Sequence, residues 1–337
     1  MSSCHLSDYE IGPILGVGTV GTIYAAVDRK TGDRLAIKKL HPGVSQDALI
    51  RARFQREMLI LERLQHPNII RYFGGGEDQG QLFYVMEMVG GGTVKELLQT
   101  RGTFAWNVVA EIGRQVCSAL QCAHNHGVIH RDLKPGNLFL TREAEVKLGD
   151  FGIARDLQGV DITSSGMTVG THAYMAPEQI TGDASVSGKA DLYSLGCCLF
   201  EMLVGRTPFL GDNFAQLFEQ HLRTEPPRVR DFVPTCPAEL DDVIHKLLAK
   251  NPDDRPFNAR QVQAVMLRLD EAHAMEEDST PGQPTDVAAE VAGRELLRKQ
   301  IHQRIEGNPR AEVSWSKLLV MAAVIVTIIV VVSFLGR

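Results

Sequence analysis

Residues 130–137 read His130-Arg131-Asp132-Leu133-Lys134-Pro135-Gly136-Asn137, and no other stretch of the 337-residue chain narrows its choice of fold so far. Within six positions this string sets a candidate base (Asp132), a cation suited to phosphate (Lys134) and an oxygen ligand for a hard metal ion (Asn137). Thirteen residues after Asn137 comes Asp150-Phe151-Gly152, which adds a second carboxylate. Mg2+ takes one or two carboxylates together with substrate phosphates rather than an all-protein cage. Two strings so composed call for a fold that brings them to one cleft, opposite an element that binds phosphate.

A candidate for that element lies upstream. Gly16-Val17-Gly18-Thr19-Val20-Gly21 is G-x-G-x-x-G, followed by Thr22-Ile23-Tyr24. Glycines let backbone N–H groups approach phosphate oxygens closely. Alone the motif is weak, because a glycine hairpin without a ligand reads the same way. A dinucleotide fold would need a following helix and an acid about 20 residues on. Here the motif joins two alternating, strand-like runs, so the spacing predicts a hairpin lid. Leu35-Ala36-Ile37-Lys38 is a further alternating strand, whose lysine would face the cleft if a carboxylate fixed it. Glu57, on the amphipathic segment that carries Phe54, Leu61 and Leu64, is the candidate.

Further landmarks follow in order: His66-Pro67-Asn68-Ile69, Ala176-Pro177-Glu178, Asp191 in Asp191-Leu192-Tyr193-Ser194-Leu195-Gly196, and Arg255. With these the chain resembles the eukaryotic-type (Hanks-type) Ser/Thr protein kinases, and in layout the membrane-anchored ones of bacteria. The resemblance implies an α+β, bilobal fold over residues 9–270. A small β-rich lobe (about 9–88) would precede a larger helical lobe (about 93–270), with ATP and Mg2+ (Mn2+ as an alternative ion) in the cleft between them.

The resemblance also implies roles. Leu15, Gly16, Val17, Gly18 and Gly21 would cover the nucleotide, and Lys38, paired with Glu57, would hold its α/β-phosphates. Ile23 and Ala36 would lie above the adenine and Phe139 below it. Met86 matches the gatekeeper position, and Glu87 and Val89 would read the purine edge through their backbone. Asn137 and Asp150 would hold the metal, Asp132 would accept the proton of a protein Ser or Thr hydroxyl, and Lys134 would steady the phosphoryl group in transit. Arg131 is the mark of kinases ordered by activation-loop phosphorylation, for which Thr163, Ser165 and Thr168 are the candidates, with Ser164 between them. Thr171 matches a threonine that bonds near the catalytic aspartate, Glu178 pairs with Arg255, and Asp191 braces the catalytic loop. Kinases that favour arginine upstream of the target carry acids where this chain has Thr93 and Gly136. Although a third acid, Glu201, is retained, strong selectivity for upstream arginine is not expected.

Composition bears mainly on partners. The chain is 44% hydrophobic and 23% charged with a net charge of −6, which excludes a disordered or collagenous chain and gives no pointer to nucleic acid. Its six cysteines form no C-x-x-C pair and read as reduced cytosolic thiols. The start carries no basic stretch followed by an apolar run, so no signal peptide is expected.

The other end is different. Leu318 to Leu335 is an uncharged run of 18 residues, long enough to span about 27 Å, close to the hydrocarbon core of a bilayer. Arg294, Arg298, Lys299, Arg304, Arg310 and Lys317 precede it, with Trp315 placed as an interfacial anchor. The positive side stays in the cytoplasm. The expectation is a single-pass, tail-anchored protein with residues 317–335 as the membrane helix and the kinase domain in the cytoplasm. Residues 271–316 read as a cytosolic linker, with a juxtamembrane helix over 286–306 carried by Val287, Val291, Leu296, Leu297, Ile301 and Ile305. Tethering would crowd copies together and favour phosphorylation of one by another in trans, beside the phosphorylation of other proteins.

Two other readings compete. A binding scaffold with a kinase shape would usually have lost the lysine, the catalytic aspartate or the metal aspartate, all of which are kept here. A small-molecule phosphotransferase would not need the complete segment that ends in Ala176-Pro177-Glu178.

Overall fold

Five short strands pair into one antiparallel sheet: β1 (Tyr9–Val17), β2 (Gly21–Asp28), β3 (Arg34–Leu40), β4 (Tyr72–Asp78) and β5 (Gln81–Glu87). Their spatial order is β1-β2-β3-β5-β4. The computed structural model describes residues 4–18, 20–45, 51, 54, 58, 60–151, 172–183, 186–278 and 293–307. Turn chemistry sets the hairpins. After β2, Asp28 Oδ1 accepts from the N–H groups of Lys30 (2.7 Å) and Thr31 (3.1 Å). Gln79 and Gly80 join β4 to β5 in two residues, both at positive φ (49° and 79°), the conformation that matches the twist of paired strands.

Strand alternation divides the sheet into two faces. Tyr9, Ala26, Leu35, Ile37, Phe83 and Val85 make a small cluster on one side. Ala36, Leu40, Tyr84 and Met86 belong to the main core on the other. Lys38 has the parity of Ala36 and Leu40, so β3 sends it to the face that meets the second lobe. Phe54, Met58, Leu61 and Leu64 are buried in that same core, the apolar face expected of their segment.

The second lobe is helical. It holds α1 (Val94–Arg101), α2 (Trp106–Asn125), the β6–β7 hairpin (Leu138–Leu140, Val146–Leu148), α3 (Gly188–Val204), α4 (Phe214–Arg223), α5 (Ala238–Leu247), α6 (Ala259–Asp278) and α7 (Gly293–Gly307). Caps mark the ends. Thr93 and Glu96 form a capping box on α1, and Ser187 and Asn213 cap α3 and α4 through their side chains. Gly205 ends α3 in the left-handed conformation. Helix α3 is buried on all sides, from Ala190 to Leu203 with few exceptions, as the central post of a lobe must be. At Gly196 an added Cβ would come within 2.8 Å of Leu247 Cβ, so α3 and α5 pack closely there.

One boundary differs from the sequence reading, and one expected helix is described only in part. Residues 271–278, assigned there to the linker, continue α6 to Asp278; alanine, methionine and glutamate are strong helix formers, and no glycine or proline stops the helix before Pro281. The helix expected over 286–306 is described as Gly293–Gly307, and it is not a free connector. Leu297 and Ile301 are fully buried in the main core, with Leu296 and Ile305 packed beside them. The apolar run 318–335 lies outside the described residues, and among the described residues no helix is long and apolar enough to cross a membrane.

Candidate active site

The β1–β2 hairpin closes with Gly18 N donating to Gly21 O at 2.9 Å, while the His41 ring bonds Gly18 O at 3.0 Å. Gly21 is required by close approach, since a Cβ there would collide with the backbone of Lys39 on β3. Gly16 faces open space. Leu15 and Val17 remain exposed on β1. Ala36 is buried in the main core, and Ile23, Val89 and Phe139 pack against that core partly buried. Met86 is buried as the register partner of Ala36. The Glu87 carboxylate pairs with Lys147 at 3.0 Å and accepts from Arg71 N.

Lys38 Nζ reaches Asp150 Oδ1 at 2.6 Å, joining the sheet to the start of the Asp150-Phe151 string. Glu57, its expected partner, lies outside the described residues, as do Gly152, Thr163, Ser164, Ser165, Thr168 and Thr171.

The string 130–137 is held from below by Asp191, fully buried in the first turn of α3. Its carboxylate accepts from His130 N, Arg131 N and the His124 ring, each at 2.8 Å. The partial positive charge of a helix N-terminus favours an anion at this position. The brace matters because Arg131 (φ 62°) and Asp150 (φ 52°) both take left-handed backbone conformations, which cost a non-glycine residue free energy and persist only where surroundings hold them. His130 links the two strings. Its Nδ1 accepts from Asp132 N at 3.3 Å, so Nε2 carries the proton and donates to Gly149 O at 2.9 Å. Its ring lies 4.8 Å from that of Phe151, centroid to centroid, tilted by 46°.

At the mouth, Lys134 Nζ donates to Asp132 Oδ2 at 2.7 Å. Asn137 Nδ2 donates to Asp132 O at 2.7 Å and lies 3.3 Å from Oδ2. Asp132 and Lys134 keep 19% and 25% side-chain exposure, enough to meet a substrate from solvent. Among the described residues no group of three or more His, Cys, Asp or Glu is placed to hold a metal without help. The donors present, Asp150 and Asn137, suit a hard ion that takes its other ligands from phosphate.

Glu178 and Arg255 form the expected pair, bidentate at 2.7 and 2.8 Å. Several functional contacts carry no sequence signal. Gln179 Nε2 donates to Arg131 O at 3.0 Å, tying the end of the activation segment to the catalytic loop. Tyr174 donates its hydroxyl to Glu201 at 2.6 Å. Burial raises the Glu201 carboxyl above its ordinary range, with the Tyr174 bond and the Lys95 ammonium acting against it. Thr93 is occupied as the cap of α1. Beside Gly136 lies the Lys95 stem, 3.7 Å from where a Cβ would stand.

Residues 9–266 match the model of the protein kinase domain. The serine/threonine-protein kinase PknB of Mycolicibacterium smegmatis is 40% identical over 278 residues, which are 80% of this chain and 44% of that protein. PknB of Mycobacterium tuberculosis is 37% identical over 300 residues, 86% of this chain and 47% of its own. The probable serine/threonine-protein kinase SCO3848 of Streptomyces coelicolor is 38% identical over 261 residues, 76% and 39%. The chain therefore spans less than half the length of these curated relatives. The crystal structure of the Mycobacterium tuberculosis PknI kinase domain aligns at a TM-score of 0.62 and 30% identity, over 80% of this chain and 98% of that one. With the family match covering both lobes and every described element of the cleft, the chain belongs to the protein kinase domain family.

Proposed function

We propose that the chain is an ATP- and Mg2+-dependent protein kinase that phosphorylates Ser and Thr hydroxyls of proteins, itself in trans among them, while tethered to a membrane. The observation that carries the reading is the convergence of Asp132, Lys134 and Asn137 within one hydrogen-bonded cluster, with Lys38 and Asp150 joined across the cleft. ATP with Mg2+ would supply the phosphoryl group and offset its charge. Asp132 orients an incoming hydroxyl and takes its proton, from a position fixed by Asn137 and His130. Lys134 places positive charge beside that carboxylate, where the transferred group passes. Lys38 positions phosphate oxygens, and Asp150 and Asn137 offer the metal its protein oxygens. Positioning and charge stabilisation dominate phosphoryl transfer, so each group acts through geometry.

On substrates, Lys95 beside Gly136 and the occupied Glu201 argue against a preference for arginine upstream of the target. Full activity after alanine replacement of Thr163, Ser164, Ser165 and Thr168 together would overturn activation by loop phosphorylation. The tether rests on the run 318–335 and the cations that precede it.

The deciding experiment is self-labelling of the full chain with radiolabelled ATP and Mg2+, beside Asp132→Asn. Label on the wild type alone supports the reading, and its mapped position tests Thr163, Ser165 and Thr168. Nucleotide binding without transfer in both proteins would favour a scaffold instead.

A further inference from the structure

Helix α7 follows the family match, which ends at residue 266, and yet it is built into the domain at two points where glycine alone fits. At its start, a Cβ on Gly293 would collide with the carbonyl of Asn107 on α2. Near its end, Arg304 lies against Gly92, in the connection between the lobes. Gly92 has φ 80°, and a Cβ there would collide with Arg304 Nη1 and come within 2.5 Å of Glu96 Oε2. Between these contacts Leu297 and Ile301 are fully buried.

The bonds Arg304 makes are specific. Nη1 donates to Gly91 O at 2.9 Å, and Nη2 donates to Glu96 Oε2 at 2.8 Å. That same Glu96 oxygen accepts from Thr93 N at 2.8 Å, completing the capping box of α1. On the opposite side, Gly91 N donates to Leu140 O and Leu140 N to Gly92 O, both at 2.8 Å. Thr93 bridges Phe139. The segment 91–93 is thus held between β6 and the guanidinium, and β6 carries Phe139, the expected floor of the adenine pocket. The Arg304 side chain is 14% exposed and that of Glu96 is 48% exposed, so the bond to the Gly91 carbonyl is the better sheltered of the two.

We infer that Arg304 is a positioning residue for nucleotide binding: it fixes the inter-lobe connection from behind, so that docking of α7 tightens ATP binding. The inference rests on the kinase reading above. It also gives the chain beyond α7 a route to the cleft, because whatever pulls α7 away removes the clamp.

The test uses the full chain in detergent, with Arg304→Gln, Arg304→Lys and Leu297→Asp beside the wild type. KM for ATP, kcat, and direct binding of a fluorescent ATP analogue are measured. The expected result is a rise of about five-fold or more in KM and Kd for Arg304→Gln, the lower end of ordinary coupling between sites, with kcat nearly unchanged. Arg304→Lys, which can still reach one acceptor, falls between. Leu297→Asp, which undocks the helix, matches or exceeds Arg304→Gln. Unchanged nucleotide affinity in Arg304→Gln would overturn the inference, including the case in which Leu297→Asp alone is impaired. A wild type that binds no nucleotide would instead defeat the kinase reading.

Discussion

Arg255 and Glu178, 77 positions apart in the chain, form a bidentate ion pair in which the arginine side chain has no solvent exposure. The other donors of Arg255 go to the carbonyls of Ala249, Lys189 and Lys250, so all five of its N–H groups are satisfied. Three segments of the helical lobe therefore meet at one guanidinium. Removing one partner leaves a buried charge without compensation. Arg255→Ala and Glu178→Ala should each cost about 3–5 kcal/mol, and the double variant less than their sum. Urea denaturation of the three variants measures it.

The pair Lys38–Asp150 has a different character. Its side chains are 13% and 27% exposed, and it lies in the cleft rather than beneath it. Asp150→Ala should leave the unfolding free energy within about 1 kcal/mol of wild type, while lowering kcat by roughly a hundredfold or more. It should also raise the Mg2+ concentration needed for half-maximal rate. Rates across a Mg2+ titration, beside a denaturation curve, separate the two effects.

His221 offers a pH test. It is fully buried, shares a hydrogen bond with Tyr193 OH through Nδ1 at 2.8 Å, and has no partner for Nε2 among the described residues. Burial, aided by the nearby Lys250 ammonium, lowers its pKa from 6.5 to about 3. The unfolded chain then binds a proton that the folded chain refuses. Stability is intact above pH 6.5 and falls as pH drops towards 3, by about 1.4 kcal/mol per pH unit from this group. His221→Gln should flatten that slope whatever its effect at neutral pH. Denaturant midpoints at pH 7, 6, 5 and 4 give the comparison.

Two glycines of the hairpin lid should part company. Gly21→Ala pushes a methyl group into the Lys39 backbone and should cost about 1–3 kcal/mol. Gly16→Ala meets nothing within 4 Å, so the fold should tolerate it. Any loss of ATP affinity in Gly16→Ala would then report the close approach of nucleotide to that backbone. Thermal unfolding and nucleotide titration of both variants test the pair.

The proposed tether would have a geometric consequence. Only ten residues separate Gly307, the end of α7, from Leu318, so the two lie within about 40 Å. Full-length chain should resist carbonate washing of membranes, and a chain ending at Gly307 should be released. Retention of the shortened chain in washed membranes would defeat the anchor.

Short strings along the chain were enough to identify the bilobal fold and the central cluster. The spacing of Asp132, Lys134 and Asn137 puts their roles within one loop, and alternation on β3 assigns Lys38 to the cleft face. Such chemistry is local, and local order is what a sequence displays. The contacts that complete the site are of another kind. That Gln179 holds the Arg131 carbonyl, that Tyr174 occupies Glu201, and that Lys38 meets Asp150 depend on chain segments brought together only by packing. Helix α7 is the clearest case. Leu297 and Ile301 announce an apolar face, and the same pattern would serve a helix lying on a membrane, on a partner or on its own domain. Burial is non-directional, so periodicity cannot name the surface that covers it. Shape and hydrogen bonding decide that: Gly293 fits only where Asn107 leaves no room for a side chain, and Arg304 fits only over Gly92, with the Gly91 carbonyl and the Glu96 carboxylate in reach.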